Sequence, residues 1–207
     1  MVGDRDWFDD MLRTCPVMAI LRGYGTERTL ELAHRAWDLG ITLVEIPIQN
    51  DAAVETLAAV ATAGRGGGAI VGAGTVLSPA QVIDARDAGA MFTVSPGFDP
   101  AVVAASHAAG MPSLPGVATA TDIQLALRHG LRWLKAFPAS TLGEGWFSAM
   151  KGPFPQVSFV ATGGMAAGNA ERFLDAGAAA VAVGSALEDP AQLDQLAAIL
   201  AARRTRR

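Results

Sequence analysis

Two charged residues of this 207-residue chain lie inside apolar runs, Glu45 in the segment LVEIP (43–47) and Lys135 in WLKAF (133–137). Burying an isolated charge is costly enough that each residue needs a partner or a chemical task. One explanation is a structural ion pair. The other is covalent chemistry: desolvation beside the cation Arg22 favours the neutral amine of Lys135, which attacks a carbonyl carbon while Glu45 relays protons.

Lysine is rare in this chain, which makes Lys135 more informative. Of the sixteen Lys and Arg residues, only Lys135 and Lys151 are lysines. Arginine cannot form an imine, so imine chemistry would have to use one of these two. Lys151 precedes Gly152 and Pro153 and is predicted to be a solvated residue at a helix end. Lys135 is therefore the candidate nucleophile.

Glycines and hydroxyls near the end of the chain form a second candidate site. Glycine lets backbone N–H groups approach an oxyanion, and the helix N-termini that follow favour negative charge. In enzymes with the TIM (β/α)8 barrel fold, phosphate sites recur in the loops after the last two strands. A phosphate site is therefore predicted here, although turns that merely need glycine remain the alternative. The residues are Thr162, Gly163, Gly164, Gly184 and Ser185.

A third candidate site combines Thr75, in the segment GAGT (72–75), with Pro96 and Gly97, in SPG (95–97). Backbone N–H and hydroxyl donors in such small loops are suited to binding a carboxylate. Taken alone, the pattern fits plain turns equally well.

The elements that must position these residues follow one repeated pattern. Eight short apolar runs alternate with longer Ala-rich segments of helical period, and continuous apolar runs are typical of parallel strands buried on both faces. The pattern predicts an α/β fold, a compact TIM (β/α)8 barrel in a single domain, 1–207, with an extra N-terminal helix over 7–13. Helices are also predicted over 26–39 and, after the cap Asp51, over 52–63. The predicted strands are 17–21, 43–46, 69–72, 91–94, 112–114, 133–136, 158–161 and 180–183.

A TIM barrel carries its active site at the carboxyl ends of its strands, where all three groups of residues fall. The rival fold is an open, doubly wound sheet that binds a nucleotide. Its signature would be a glycine fingerprint after the first strand, and the segment GYGT (23–26) lacks the third glycine.

Composition excludes several classes of function. The net charge of −4 argues against nucleic-acid binding, and the basic cluster Arg203, Arg204, Arg206 and Arg207 is predicted to be a solvated chain end. No apolar run approaches the ~20 residues of a membrane span, and the chain starts with charged residues, so a cytoplasmic location is predicted.

Neither a metal nor any other cofactor is predicted. A single cysteine, Cys15, excludes an internal disulfide and a cysteine-cluster metal site. His34, His107 and His129 fall in predicted helices, far apart and without ligand spacing. The strand ends offer one carboxylate, Glu45, which disfavours metal-dependent chemistry.

Seven segments, in order and at family spacing, resemble the 2-keto-3-deoxy-6-phosphogluconate (KDPG) / 4-hydroxy-2-oxoglutarate (KHG) aldolase family. They are VEIP (44–47), GAGTV (72–76), SPG (95–97), LPGV (114–117), LKAFPA (134–139), GPFP (152–155) and ATGG (161–164). The resemblance covers about residues 16–187. It implies a homotrimeric barrel and a metal-independent class I aldolase that releases pyruvate from a phosphorylated keto-deoxy sugar acid.

The resemblance also implies a role for each candidate residue. Lys135 would form the imine with Phe137 packed beside it, and Glu45 would act as the acid and base. The pyruvate carboxylate would bind at Thr75 and the backbone of Pro96 and Gly97. The distal phosphate would bind at Gly163, Gly164, Gly184 and Ser185.

One position departs from the family pattern. Many phosphogluconate-type members carry an arginine four residues after the catalytic glutamate, where this chain has Gln49. Arg22 and the segments EIP (45–47) and ATAT (118–121) resemble the phosphogalactonate branch instead, and Arg22 is a candidate replacement for the missing cation. The resemblance predicts cleavage of KDPG, with KHG as a further substrate. The alternatives are a phosphogalactonate aldolase and a phosphate-sugar epimerase or isomerase.

Overall fold

The computed structural model describes residues 4–205, and their side chains from residue 7 to residue 203. This part of the chain contains nine strands. The strands are β1 (Val17–Ile20), β2 (Leu43–Pro47), β3 (Ile70–Gly74), β4 (Thr93–Val94), β5 (Ser113–Leu114), β6 (Gly116–Val117), β7 (Trp133–Ala136), β8 (Ser158–Thr162) and β9 (Ala180–Val183). Helices follow all of them except β5. Most of the predicted basic cluster, Arg206, Arg207 and the side chain of Arg204, lies outside the described residues.

Ten α-helices accompany the strands, and a 3₁₀ turn, Ser185–Leu187, follows β9. The helices are α1 (Asp4–Thr14), α2 (Thr26–Asp38), α3 (Asp51–Gly64), α4 (Pro79–Asp87), α5 (Pro100–Ala108), α6 (Ala120–Arg128), α7 (Ala139–Leu142), α8 (Glu144–Lys151), α9 (Ala167–Asp175) and α10 (Pro190–Thr205).

The strands form one parallel sheet in the order β5-β4-β3-β2-β1-β9-β8-β7-β6. The two ends of this order, β5 and β6, are separated in the chain by Pro115 alone, so they are two halves of one barrel strand. Pro115 still accepts a hydrogen bond from the Lys135 N–H, at 2.9 Å. The sheet closes on itself there, and the predicted TIM barrel is confirmed.

The barrel interior is filled from below by α1. Phe8 and Leu12 are fully buried in one apolar cluster with Phe92, which precedes β4, and Trp133 of β7. The indole N–H of Trp133 donates to the carboxylate of Asp9, at 2.9 Å, which fixes the helix against β7. The predicted extra N-terminal helix therefore plugs the end of the barrel opposite the carboxyl ends of the strands, where the candidate residues lie.

The third strand was predicted wrongly, as 69–72, because its glycines look like the start of a turn. The strand runs to Gly74 in register with β2, pairing Gly74 with Pro47. The glycines serve packing, since a Cβ at Gly72 would overlap the ring of Phe92. Two other predictions need correction. The fourth strand, predicted as 91–94, is Thr93–Val94 and excludes both the half-exposed Met91 and the buried Phe92. The cap of α3 is Asn50, whose side chain accepts from the Ala53 N–H, rather than Asp51.

Candidate active site

Glu45 and Lys135 meet on the barrel axis. They lie in β2 and β7, four strands apart in the sheet, so their side chains approach from opposite sides of the barrel. Lys135 Nζ lies 3.9 Å from Glu45 Oε1, and the two side chains are 2% and 0% exposed. That separation exceeds the ~2.7–2.9 Å of a charge-assisted hydrogen bond. Neither Glu45 oxygen has a hydrogen-bond partner among the described residues.

A buried carboxylate without hydrogen bonds is an expensive feature for a purely structural pair. The arrangement leaves the acceptor sites of Glu45 available to a molecule bound next to the amine of Lys135. With this geometry, the Lys135 amine can attack the carbonyl carbon of a bound molecule, and the Glu45 carboxylate can exchange protons with that molecule.

Glycine makes room for this pair. A Cβ at Gly74 would overlap Oε1 of Glu45 and would lie 2.6 Å from its Cγ and Cδ. Gly116 is paired with Lys135 in the β6–β7 register. A Cβ there would overlap the Pro96 carbonyl and lie 2.8 Å from the Gly97 nitrogen. The segments GAG and PGV therefore set the close packing of strands and loops around the two charges.

Arg22 follows β1 and joins two other predicted site residues. Its guanidinium donates to Gln49 Oε1 at 2.7 Å and to Thr75 Oγ1 at 3.0 Å. Thr75 has φ 57°, the one positive φ of a non-glycine residue in the described part of the chain. A β-branched residue is strained in this region, and such strain clusters at functional sites. The strain here aims the Thr75 hydroxyl at Arg22.

A cavity of about 300 Å³ opens at the carboxyl ends of β1, β7, β8 and β9. The Phe137 ring centroid lies 5.1 Å from Lys135 Nζ, so this ring forms the wall beside the amine. The cavity also reaches both predicted phosphate loops. The predicted site residues that line it are Arg22, Lys135, Phe137, Thr162, Gly163, Gly164, Gly184 and Ser185.

The remaining predicted residues lie next to the cavity rather than in its wall. Gln49 and Thr75 are attached to it through Arg22. Pro96 and Gly97 lie beside Gly116, whose N–H donates to the Gly97 carbonyl at 3.2 Å. Sequence reasoning missed Tyr24, Met165 and two apolar residues of the wall. Tyr24 could have been found, because it is the single tyrosine of the chain and follows Arg22 by two positions.

The side chains set aside in the sequence lie away from this cavity. Lys151 is exposed at the end of α8, and the three histidines lie in or at the ends of α2, α5 and α6. Among the described residues there is no group of three or more His, Cys, Asp or Glu residues that could hold a metal ion. No helix in that part of the chain is long and apolar enough to cross a membrane.

Comparison with known proteins agrees with this geometry. Residues 8–201 match the family model "Aldolase: KDPG and KHG aldolase". The chain is 37% identical to the 2-dehydro-3-deoxy-phosphogluconate aldolase of Treponema pallidum over 80% of this chain and 77% of that protein. It is 35% identical to the 2-dehydro-3-deoxy-6-phosphogalactonate aldolase of Escherichia coli over 83% and 84% of the two chains.

A solved structure is also similar. The KDPG aldolase of Legionella pneumophila, with pyruvate captured as a covalent carbinolamine intermediate, superposes with a TM-score of 0.79. It is 29% identical and aligns over 93% of this chain and 95% of its own.

The family model and the aldolase relatives identify this closed β/α barrel as a class I aldolase, a carbon–carbon lyase. Matched over nearly its whole length, the chain belongs to the KDPG and KHG aldolase family. The resemblance identified in the sequence is confirmed.

Proposed function

We propose that this enzyme cleaves 2-keto-3-deoxy-6-phosphogluconate to pyruvate and glyceraldehyde 3-phosphate, and that it also cleaves 4-hydroxy-2-oxoglutarate to pyruvate and glyoxylate. The observation that carries the proposal is the buried pair of Lys135 Nζ and Glu45 Oε1, which lie 3.9 Å apart. Neither Glu45 oxygen has a hydrogen-bond partner among the described residues. Relatives named for KDPG and KHG aldolase activity support it.

The reaction follows from the positions of these two groups. The Lys135 amine attacks the C2 carbonyl of the substrate, and loss of water from the carbinolamine gives a protonated imine. Glu45 accepts the proton of the C4 hydroxyl as the C3–C4 bond breaks and its electrons move into the imine, leaving an enamine. Glu45 then returns the proton to C3, and water releases pyruvate and regenerates the amine.

The ends of the substrate would be held by the flanking loops. The pyruvate carboxylate is assigned to Thr75 and the backbone at Pro96 and Gly97, with Phe137 beside the imine. The phosphate is assigned to the four loop residues of the cavity wall beyond β8 and β9: Gly163, Gly164, Gly184 and Ser185. Positive φ at Gly163 and Gly164, which favours glycine, makes this loop a tight turn in the cavity wall, and glycine lets the backbone approach a bound anion closely.

A specific observation favours a second substrate, 2-keto-3-deoxy-6-phosphogalactonate. Arg22, in the loop after β1, donates to Gln49, the position where many phosphogluconate-type members carry an arginine, and we infer that Arg22 supplies the cation in its place. A phosphogalactonate aldolase is also among the relatives. The two substrates differ at one hydroxyl, which a few polar contacts distinguish.

Steady-state cleavage of the two phosphorylated substrates and of 4-hydroxy-2-oxoglutarate, measured side by side, tests the proposal. We expect the highest kcat/KM for the gluconate-derived substrate. A higher value for the galactonate-derived one would decide for the second candidate. Cleavage of none of the three, by a folded protein, would reject an aldolase of this specificity.

We also propose that the enzyme is a homotrimer. The resemblance to the family supports a trimer, and Leu77, Ile83 and Met91, in or beside α4 and 58%, 51% and 49% exposed, are apolar residues that an interface would cover. Light scattering should give three times the 21.3 kDa mass of the chain; a monomer mass would contradict this. The cytoplasmic location stays a prediction from the sequence.

A further inference from the structure

We propose that Tyr24 is a positioning residue, which ties the loop after β1 to the turn after β9 through Glu188 and so fixes the phosphate end of the cavity. The inference rests on the proposed function and adds a determinant of its preference for phosphorylated substrates. Tyr24 lines the cavity together with Gly184 and Ser185. Its hydroxyl donates to Glu188 Oε1 at 2.5 Å.

The bond joins two loops that carry different parts of the site. Tyr24 lies two residues after Arg22, and Glu188 lies three residues after Ser185. Strands β1 and β9 are neighbours in the sheet, and a separate loop follows each of them. The Tyr24–Glu188 hydrogen bond spans 164 positions of sequence and fixes the distance between the Arg22 loop and the last phosphate loop.

Both ends of the bond are anchored by backbone. The Gly25 carbonyl, directly after Tyr24, accepts from the N–H and the hydroxyl of Thr29, at 2.9 and 3.0 Å, so the loop is tied to the first turn of α2. The Glu188 N–H donates to the Ser185 carbonyl at 3.1 Å. A bond between two anchored segments restrains loop movement far more than one between free side chains.

Electrostatics keep the tyrosine as the donor. Burial, the hydrogen bond to Glu188 and the charge of that carboxylate raise the pKa of Tyr24 to about 12, against a smaller opposing effect of Arg28. Arg28 is itself paired with Glu31 at 2.6 Å. The phenol is protonated at neutral pH even at its ordinary pKa of about 10, and the raised pKa extends its role as a donor into the alkaline range. Glu188 is not part of the cavity wall, so it acts on the cavity only through the position it gives to Tyr24.

A double-mutant cycle tests the inference on the full enzyme with two substrates. Tyr24→Phe and Glu188→Ala should each raise KM for the gluconate-derived substrate about three- to fivefold, the range for a solvent-exposed contact with a charged group, and the double variant should lose no more. KM for 4-hydroxy-2-oxoglutarate, which has no phosphate, should change less than about twofold, because no group of it reaches this end. Glu188→Gln keeps an acceptor and should retain most of the wild-type KM.

Two further measurements separate positioning from general stability. Tyr24 is the only tyrosine, so alkaline titration of its absorbance reports it directly. Glu188→Ala should move that pKa from about 12 toward the ordinary value of about 10. Thr26→Val is the matched control. It removes a 2.8 Å hydroxyl contact to Thr56, close in sequence but outside the cavity wall, and should leave the KM ratio of the two substrates unchanged.

An unchanged KM ratio in Tyr24→Phe would overturn the inference. An equal rise of both KM values, with a lower Tm, would overturn it too, since that is the signature of a structural bond. Failure of the proposed function is distinguishable, because the wild-type enzyme would then cleave neither substrate.

Discussion

Gly74→Ala is expected to disable the enzyme by moving one carboxylate. The added Cβ would overlap Glu45 Oε1 and lie 2.6 Å from Cγ and Cδ. Ordinary carbon contacts need about 3.5 Å, so the Glu45 side chain must shift by roughly 1 Å. The Lys135–Glu45 distance of 3.9 Å leaves little tolerance. A displacement of that size costs roughly 10²-fold in kcat, and overpacking costs about 1–3 kcal/mol of stability.

The assay is kcat for cleavage, measured at a temperature where denaturant unfolding shows the variant to be fully folded. Gly72→Ala is the matched control, because it lies in the same strand and its Cβ would overlap the Phe92 ring instead of Glu45. It should be destabilised to a similar degree and keep kcat within about threefold of wild type. Wild-type kcat in folded Gly74→Ala, or an equal loss in both variants, would refute the reasoning.

Three other substitutions have defined outcomes. Glu45→Gln should lower kcat by roughly 10²–10⁴, the range for a lost general acid and base, while borohydride still traps pyruvate slowly; loss of fold instead would favour a structural ion pair. Arg22→Ala removes two charge-assisted hydrogen bonds and should raise KM and lower kcat together, a loss of about 1.5–3 kcal/mol in kcat/KM. Unchanged kinetics would show that Arg22 is a surface cation of the loop with no part in substrate binding. At Asp122, burial raises the carboxyl pKa, but hydrogen bonds from the Ala118 N–H and from Thr119 outweigh it and lower the pKa below its usual range. A depressed carboxyl pKa stabilises the fold above the unfolded value of about 3.9, and the stabilisation is lost as pH falls through the folded value. In urea unfolding, Asp122→Ala should therefore lower the free energy of unfolding by about 1 kcal/mol at pH 7 and by much less near pH 2. A loss that does not depend on pH would show that the ionised carboxylate of Asp122 does not stabilise the helix end.

The barrel and the placement of its two buried charges were predictable from the sequence. Glu45 and Lys135 each interrupt an apolar run, and parallel strands bring such residues to one mouth. The ends of the strands were less predictable where the strand residues are glycines. Gly72 and Gly74 look like a turn, yet they are strand residues whose missing Cβ atoms admit Phe92 and Glu45. Which side chain fills a glycine's space depends on distant strands, which periodicity does not report.

The contacts between loops were out of reach for the same reason. Nothing in the sequence places Tyr24 against Glu188, or Arg22 between Gln49 and Thr75, because each contact depends on how neighbouring strands splay into their loops. The strain at Thr75 was also hidden, since a β-branched residue after a strand is expected to stay extended.

The central claim is that Lys135 forms the imine, and borohydride reduction in the presence of pyruvate tests it most directly. Reduction converts the imine to a stable amine, and peptide mass spectrometry then locates the adduct. The chain contains one other lysine, Lys151, which is exposed at the end of α8 and serves as an internal control. We expect the adduct on Lys135 alone, no adduct and less than about 1% activity in Lys135→Arg, and near-normal behaviour in Lys151→Arg. An adduct on Lys151, or cleavage by Lys135→Arg above that level, would contradict the account.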